Sequence, residues 1–66
     1  MEPQEIFALI VKADEKLKYA TEDNADLRRR QAVELLMQAL AAAREAGNEP
    51  LVGQAATRLV DLGEPV

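Results

Sequence analysis

The stretch LRRRQAVELLMQALAAAREA, residues 27–46, is the densest run of helix-forming residues in the chain, and its reading decides the fold. Within it Val33, Leu36, Leu40 and Ala43 recur at spacings of three and four, which sets them on one face of a 3.6-residue helix. Ala32, Leu35, Ala39, Ala42 and Ala46 repeat that spacing one residue earlier, and Met37 widens the apolar sector further. A helix on the outside of a globule needs only one such stripe. This helix is therefore expected to lie between two neighbours or to meet a partner chain. Ala, Leu, Glu, Gln and Arg are strong helix formers, and neither Gly nor Pro occurs between Gln4 and Ala46.

On the N-terminal side of this hub stands Thr21-Glu-Asp-Asn-Ala-Asp26, a run of weaker helix formers. The phase of the apolar residues decides between a turn here and one unbroken helix. Before the run, Ile6, Leu9, Ile10, Ala13, Leu17 and Ala20 form a single stripe with Phe7 and Val11 beside it. Carried forward at alternating four and three, that stripe lands on Asn24, Leu27, Gln31 and Glu34, whereas the apolar set is Val33, Leu36 and Leu40. A straight helix would bury the wrong face, so a turn is predicted, with Asp23 or Asn24 as N-cap. Pro3 suits the first turn of the first helix, where its missing N–H has no intrahelical partner to lose. Lys12, Asp14, Glu15, Lys16 and Lys18 fall on the other side as a solvated face, with Asp14 and Lys18 four apart in the favourable order.

On the C-terminal side, Gly47-Asn48-Glu49-Pro50 combines the usual residue past a helix end with an opening for the next helix. Val52, Ala55, Ala56, Leu59 and Val60 then follow helical spacing, and Gly63 with Pro65 stops that helix. Gly53 inside it costs about 1 kcal/mol relative to Ala. Close approach to Ala39, Ala42 or Ala46 is expected to offset that cost. The reading is an all-α antiparallel three-helix bundle forming a single domain over residues 1–66, with helices near 3–21, 24–46 and 49–62.

At 66 residues the core is marginal, and self-association or a partner would strengthen it. The chain has no Cys and no His, Trp or Ser. It therefore has no disulfide framework and lacks the commonest general base, metal ligand and hydroxyl nucleophile. A net charge of −4, from 12 acidic and 8 basic side chains, disfavours nucleic acid and anionic lipid. The apolar run Ile6 to Val11 follows Glu2 and Glu5 and is too short for a signal peptide or a membrane span. A cytoplasmic location is the expectation.

Glu22, Asn24 and Asp26 alternate as calcium ligands do, but no loop Gly is present and the place of the bidentate Glu is held by Val33. Capping and turn roles are expected for them instead, and no metal or other cofactor. Arg28, Arg29 and Arg30 form the one basic run, placed at a helix start where the macrodipole makes cations mildly unfavourable. With Lys16 and Lys18 at the same end of a hairpin, the run reads either as a solvated face neutralised by Glu22, Asp23, Asp26, Asp61 and Glu64, or as a docking patch for an acidic partner. Tyr19 is expected to pack its ring and leave its hydroxyl at the surface. Asp14 and Glu15 point to different sides of a helix, so catalysis by paired carboxylates gains no support.

The segment Ala32-Val-Glu-Leu-Leu-Met-Gln-Ala-Leu40 resembles the second helix of a tetratricopeptide repeat, whose small, large and small positions match Ala32, Leu36 and Ala39. The string QALAAAREAGNEPLVGQAATRLVDLG is similar to the join between one such repeat and the next. The turn before residue 25 is longer than in the repeat, no Pro stands at the expected offset after Ala39, and Lys16 replaces the aromatic expected three positions after Ala13. Three helices with a long middle one are also similar to microtubule-interacting and transport domains, which bind partner helices in a groove. Both resemblances imply a non-catalytic protein–protein interaction module.

The expected activity is accordingly protein contact and not enzyme chemistry. The first expectation is a homodimer or a partner helix held by the second helix, with Val33, Leu36, Met37 and Leu40 as contact or core residues. The second is a small regulatory subunit that recruits an acidic partner through Arg28, Arg29 and Arg30.

Overall fold

The computed structural model describes all 66 residues as three α-helices: α1 Pro3–Lys18, α2 Ala25–Glu45 and α3 Glu49–Asp61. Each helix begins and ends where local chemistry directs. The Glu5 carboxylate turns back to accept from the Glu2 N–H at 2.9 Å, and Pro3 fills the first turn of α1. α1 stops at Lys18, earlier than its composition predicts, and residues 19–24 form the turn. Asn24 does stand at the start of α2, but its amide oxygen faces backward and accepts from the Thr21 N–H at 2.7 Å. It closes the turn and leaves the first amides of α2 uncapped by side chains, a correction to the predicted N-cap. Asn48 does cap α3, accepting from the Leu51 N–H at 3.2 Å.

The turn from α2 to α3 is fixed by Gly47 at φ 67°. The Asn48 N–H reaches the Ala43 carbonyl at 2.9 Å and the Gly47 N–H reaches Arg44 at 3.1 Å, the paired bonds of a Schellman ending. Gly53 has no such reason to be glycine. It is exposed inside α3, and a Cβ built there meets nothing within 4 Å, so the expected close approach to Ala39, Ala42 or Ala46 does not occur. Gly53→Ala is therefore expected to stabilise the fold by about 0.5–1 kcal/mol through helix propensity and a less flexible unfolded chain. Gly47→Ala should cost about 1 kcal/mol from the left-handed backbone. Urea midpoints of the two variants, moving in opposite directions, check both.

Eleven side chains form the core: Ile6, Ile10 and Ala13 from α1, Ala32, Leu36, Ala39, Leu40 and Ala43 from α2, and Leu51, Ala55 and Leu59 from α3. α2 is the hub, packed on α1 along one flank and on α3 along the other, while α1 and α3 meet weakly. Two fixed points assign its stripes. Ala42 and Ala46 share a surface hollow with Met1, which puts the stripe through Ala32, Leu35 and Ala39 against α1. Arg29 donates to the Leu62 carbonyl at the end of α3 and lies 3.7 Å from Glu64, which puts the stripe through Val33, Leu36 and Leu40 against α3. The molecule measures 38 × 22 × 13 Å between Cα atoms. No helix is long and apolar enough to cross a membrane.

Candidate functional site

Both apolar stripes of α2 are used inside the single molecule. Ala32 and Leu40 are buried, and Leu35 and Val33 are both half-buried. Of the two places expected for α2, between two neighbours or against a partner chain, the first accounts for the covering of these residues. α1 and α3 meet each other weakly, chiefly through Asp14 and Arg58, so each packs along its own flank of α2.

The four apolar site residues separate by role. Leu36 is fully buried and Leu40 is 4% exposed, so both are core. Val33 is half-buried and packs on the core from its edge. Met37 is 43% exposed and is the member of the set that a partner can reach. It is not alone. The antiparallel register, fixed by Arg29 beside Leu62 at one end and by the Gly47 turn at the other, sets Met37 level with Ala56 and Val33 near Val60. Val52 and Ala56 are half-buried against the core, while Val60 is 57% exposed. On the helical wheels these residues occupy the flanks of α2 and α3 that turn away from α1. By register and helical phase, half-buried Val33, Val52 and Ala56 line an apolar seam along the α2–α3 junction, with Met37 and Val60 exposed beside them. Val60 belongs to it and was placed in the core stripe of α3 by sequence; its angle of 100° past Leu59 is the signal that could have found it.

Phe7 and Val11, 47% and 39% exposed and four residues apart, make a second apolar ridge on α1. It rises beside Asp14, whose two carboxylate oxygens accept from Arg58 Nε at 2.9 and 3.1 Å. Arg58 Nη1 also donates to the Gln54 carbonyl at 3.2 Å. Asp14 is thus taken by α3 across the fold, where sequence spacing had paired it with Lys18 on its own helix.

The three arginines of the basic run differ in what they touch. Arg29 is committed to the Leu62 carbonyl and to Glu64, as the neutralised reading expects. Arg30 is exposed and in no ion pair. Arg28 lines a hollow of about 220 Å³ with Lys12, Glu15, Lys16 and Tyr19. A second hollow of about 210 Å³ shares Lys12 and Lys16 and continues along Gln31, Glu34, Leu35 and Gln38. The two hollows adjoin at Lys12 and Lys16 on the α1–α2 junction and make a polar surface there. Tyr19 borders it with an exposed ring under the Lys18 ammonium, 5.5 Å from the centroid, and is not packed as expected. No three His, Cys, Asp or Glu side chains gather closely enough to hold a metal ion.

Arg29→Ala is expected to lower stability by about 1 kcal/mol or less, since the residue is partly exposed, while Arg28→Ala and Arg30→Ala stay within about 0.5 kcal/mol. Thermal midpoints of the three variants check that ordering. Comparison of the chain with family models, with characterised proteins and with solved structures finds no match.

Proposed function

We propose that this protein is a non-catalytic protein-contact module whose working surface is the α2–α3 seam around Met37 and Val60, self-associating or accepting an amphipathic helix from another protein. The observation that supports it is two large apolar side chains standing exposed beside half-buried aliphatic ones. Single exposed apolar residues are ordinary on protein surfaces, but a contiguous patch rimmed by charge marks an interaction site. Here Arg30 and Arg44 rim the seam on α2 and Glu49 on α3. An unbranched thioether at the crest also adapts to the shape of an incoming helix. The test places p-benzoylphenylalanine at Met37, and as control at exposed Thr57 on the far side of α3, then irradiates cells making the protein. Discrete protein adducts from position 37 that are missing from position 57 are expected. No adduct from position 37, or the same adducts from both, would refute the reading.

A second reading has its own support in the polar surface of the α1–α2 junction. Lys12, Lys16 and Arg28 are in no ion pair within the molecule; the two lysines line adjoining hollows, one completed by Arg28 and the other by the amides of Gln31 and Gln38. An acidic segment of a partner would meet those cations there, in place of the Arg28–Arg30 run, because Arg29 is already committed. Binding of this kind should weaken strongly between low and high ionic strength, whereas binding at the seam, led by apolar burial, should weaken far less.

A further inference from the structure

We infer that the occupant of the α2–α3 seam is a second copy of this chain, docked about a two-fold axis that runs parallel to the helices. This rests on the reading of the seam as the contact surface and adds the partner and its orientation. The charges at the rim carry it. The ion pairs within the molecule are Arg29 with Glu64 and Arg58 with Asp14, so Arg30, Arg44 and Glu49 reach the rim unpaired. On α2 the rim order is Arg30, Met37, Arg44, seven residues apart on one line of the helix. On α3 it is Glu49, Val52, Ala56, Val60.

An isologous pair can bring the two seams together in two ways. With the axis across the helices, α2 lies antiparallel on its own copy, centred on Met37, and Arg30 opposes Arg44 of the partner subunit twice. That juxtaposition is repulsive. With the axis along the helices, α2 of one copy lies on α3 of the other. Arg44 is level with the start of α3 and Arg30 with its end, because the turn at Gly47 joins the first pair of ends and Arg29 touches Leu62 at the other. Arg44 then meets Glu49 of the partner subunit, and the same pair recurs by symmetry. Met37, level with Ala56 of the partner subunit, settles against it, and α2, α3 and their copies form a four-helix bundle. A standard interface takes about 800 Å² from each partner, nearly a fifth of the 4387 Å² that this molecule exposes.

Sedimentation velocity over a micromolar-to-millimolar dilution series at low ionic strength tests this with the whole chain. A species of twice the 7.2 kDa chain mass is expected to appear as concentration rises. Met37→Glu and Val60→Glu should each abolish it with the helical circular dichroism unchanged. Arg44→Glu and Glu49→Lys should each weaken the association about tenfold, two ion pairs being lost at once, and the double variant should restore it. A chain that stays at 7.2 kDa at every concentration overturns the inference, and so does a dimer in which the double variant is weaker than either single one. Monomeric mass together with adducts to another protein from position 37 would sink the second copy while leaving the seam as the contact surface. Loss of both results would sink the two together.

Discussion

Leu36→Ala is expected to leave much of the population unfolded at room temperature. Folded domains hold on the order of 0.05–0.15 kcal/mol per residue, so a chain of 66 residues has only a few kcal/mol to lose. Leu36 is fully buried near the middle of α2, on the stripe that meets α3. Its truncation removes apolar burial and leaves a cavity, together about 2–5 kcal/mol. The next residue is the control: Met37→Ala, on the exposed crest of the seam, should stay within about 0.5 kcal/mol in dilute solution. Urea unfolding followed by circular dichroism measures both. Equal losses at the two positions would contradict the orientation of α2 described above.

Ala39→Leu should be the next most damaging change, with a cost of about 1–3 kcal/mol and a drop in thermal midpoint of about 4–8 °C for each of those. Ala13, Ala32, Ala39, Ala43 and Ala55 are all fully buried, three of them on α2. Alanine at these positions lets neighbouring helices pack closely, and close packing has no room for three added carbons. Leu at position 39 must push a neighbouring helix outward or leave its preferred rotamer. Ala41, two positions on, is exposed, and Ala41→Leu should leave the midpoint nearly unchanged. A well-tolerated Leu at 39 would mean that the helix pairs are looser than the burial of these alanines implies.

The fold and the candidate site were legible in the sequence to different depths. The turn before α2 followed from phase alone, because extending the first stripe would have buried Asn24, Gln31 and Glu34. The turn after it followed from Gly47, whose left-handed backbone only glycine adopts without strain. Gly53 was misread because a glycine inside a helix invites a packing explanation, and the space around it proved open. Arg29 was readable as a neutralised charge through Glu64, but its bond to the Leu62 carbonyl was not, since it joins residues 33 apart in the chain. The pairing of Asp14 with Arg58, across 44 residues, hid behind the more local Lys18.

What the chain determined by itself is the set of helices and the two stripes of α2, because both depend on residues within a turn or two of one another. Only the tertiary structure decided that Leu36 and Leu40 are core while Met37 stays outside, and that Val60 joins it. A helical wheel fixes the angles of side chains around one axis and is silent on where the neighbouring axes lie. Here α1 and α3 approach α2 from two sides while meeting each other weakly, and that choice leaves an apolar surface open at the α2–α3 junction, apart from the Phe7–Val11 ridge of α1.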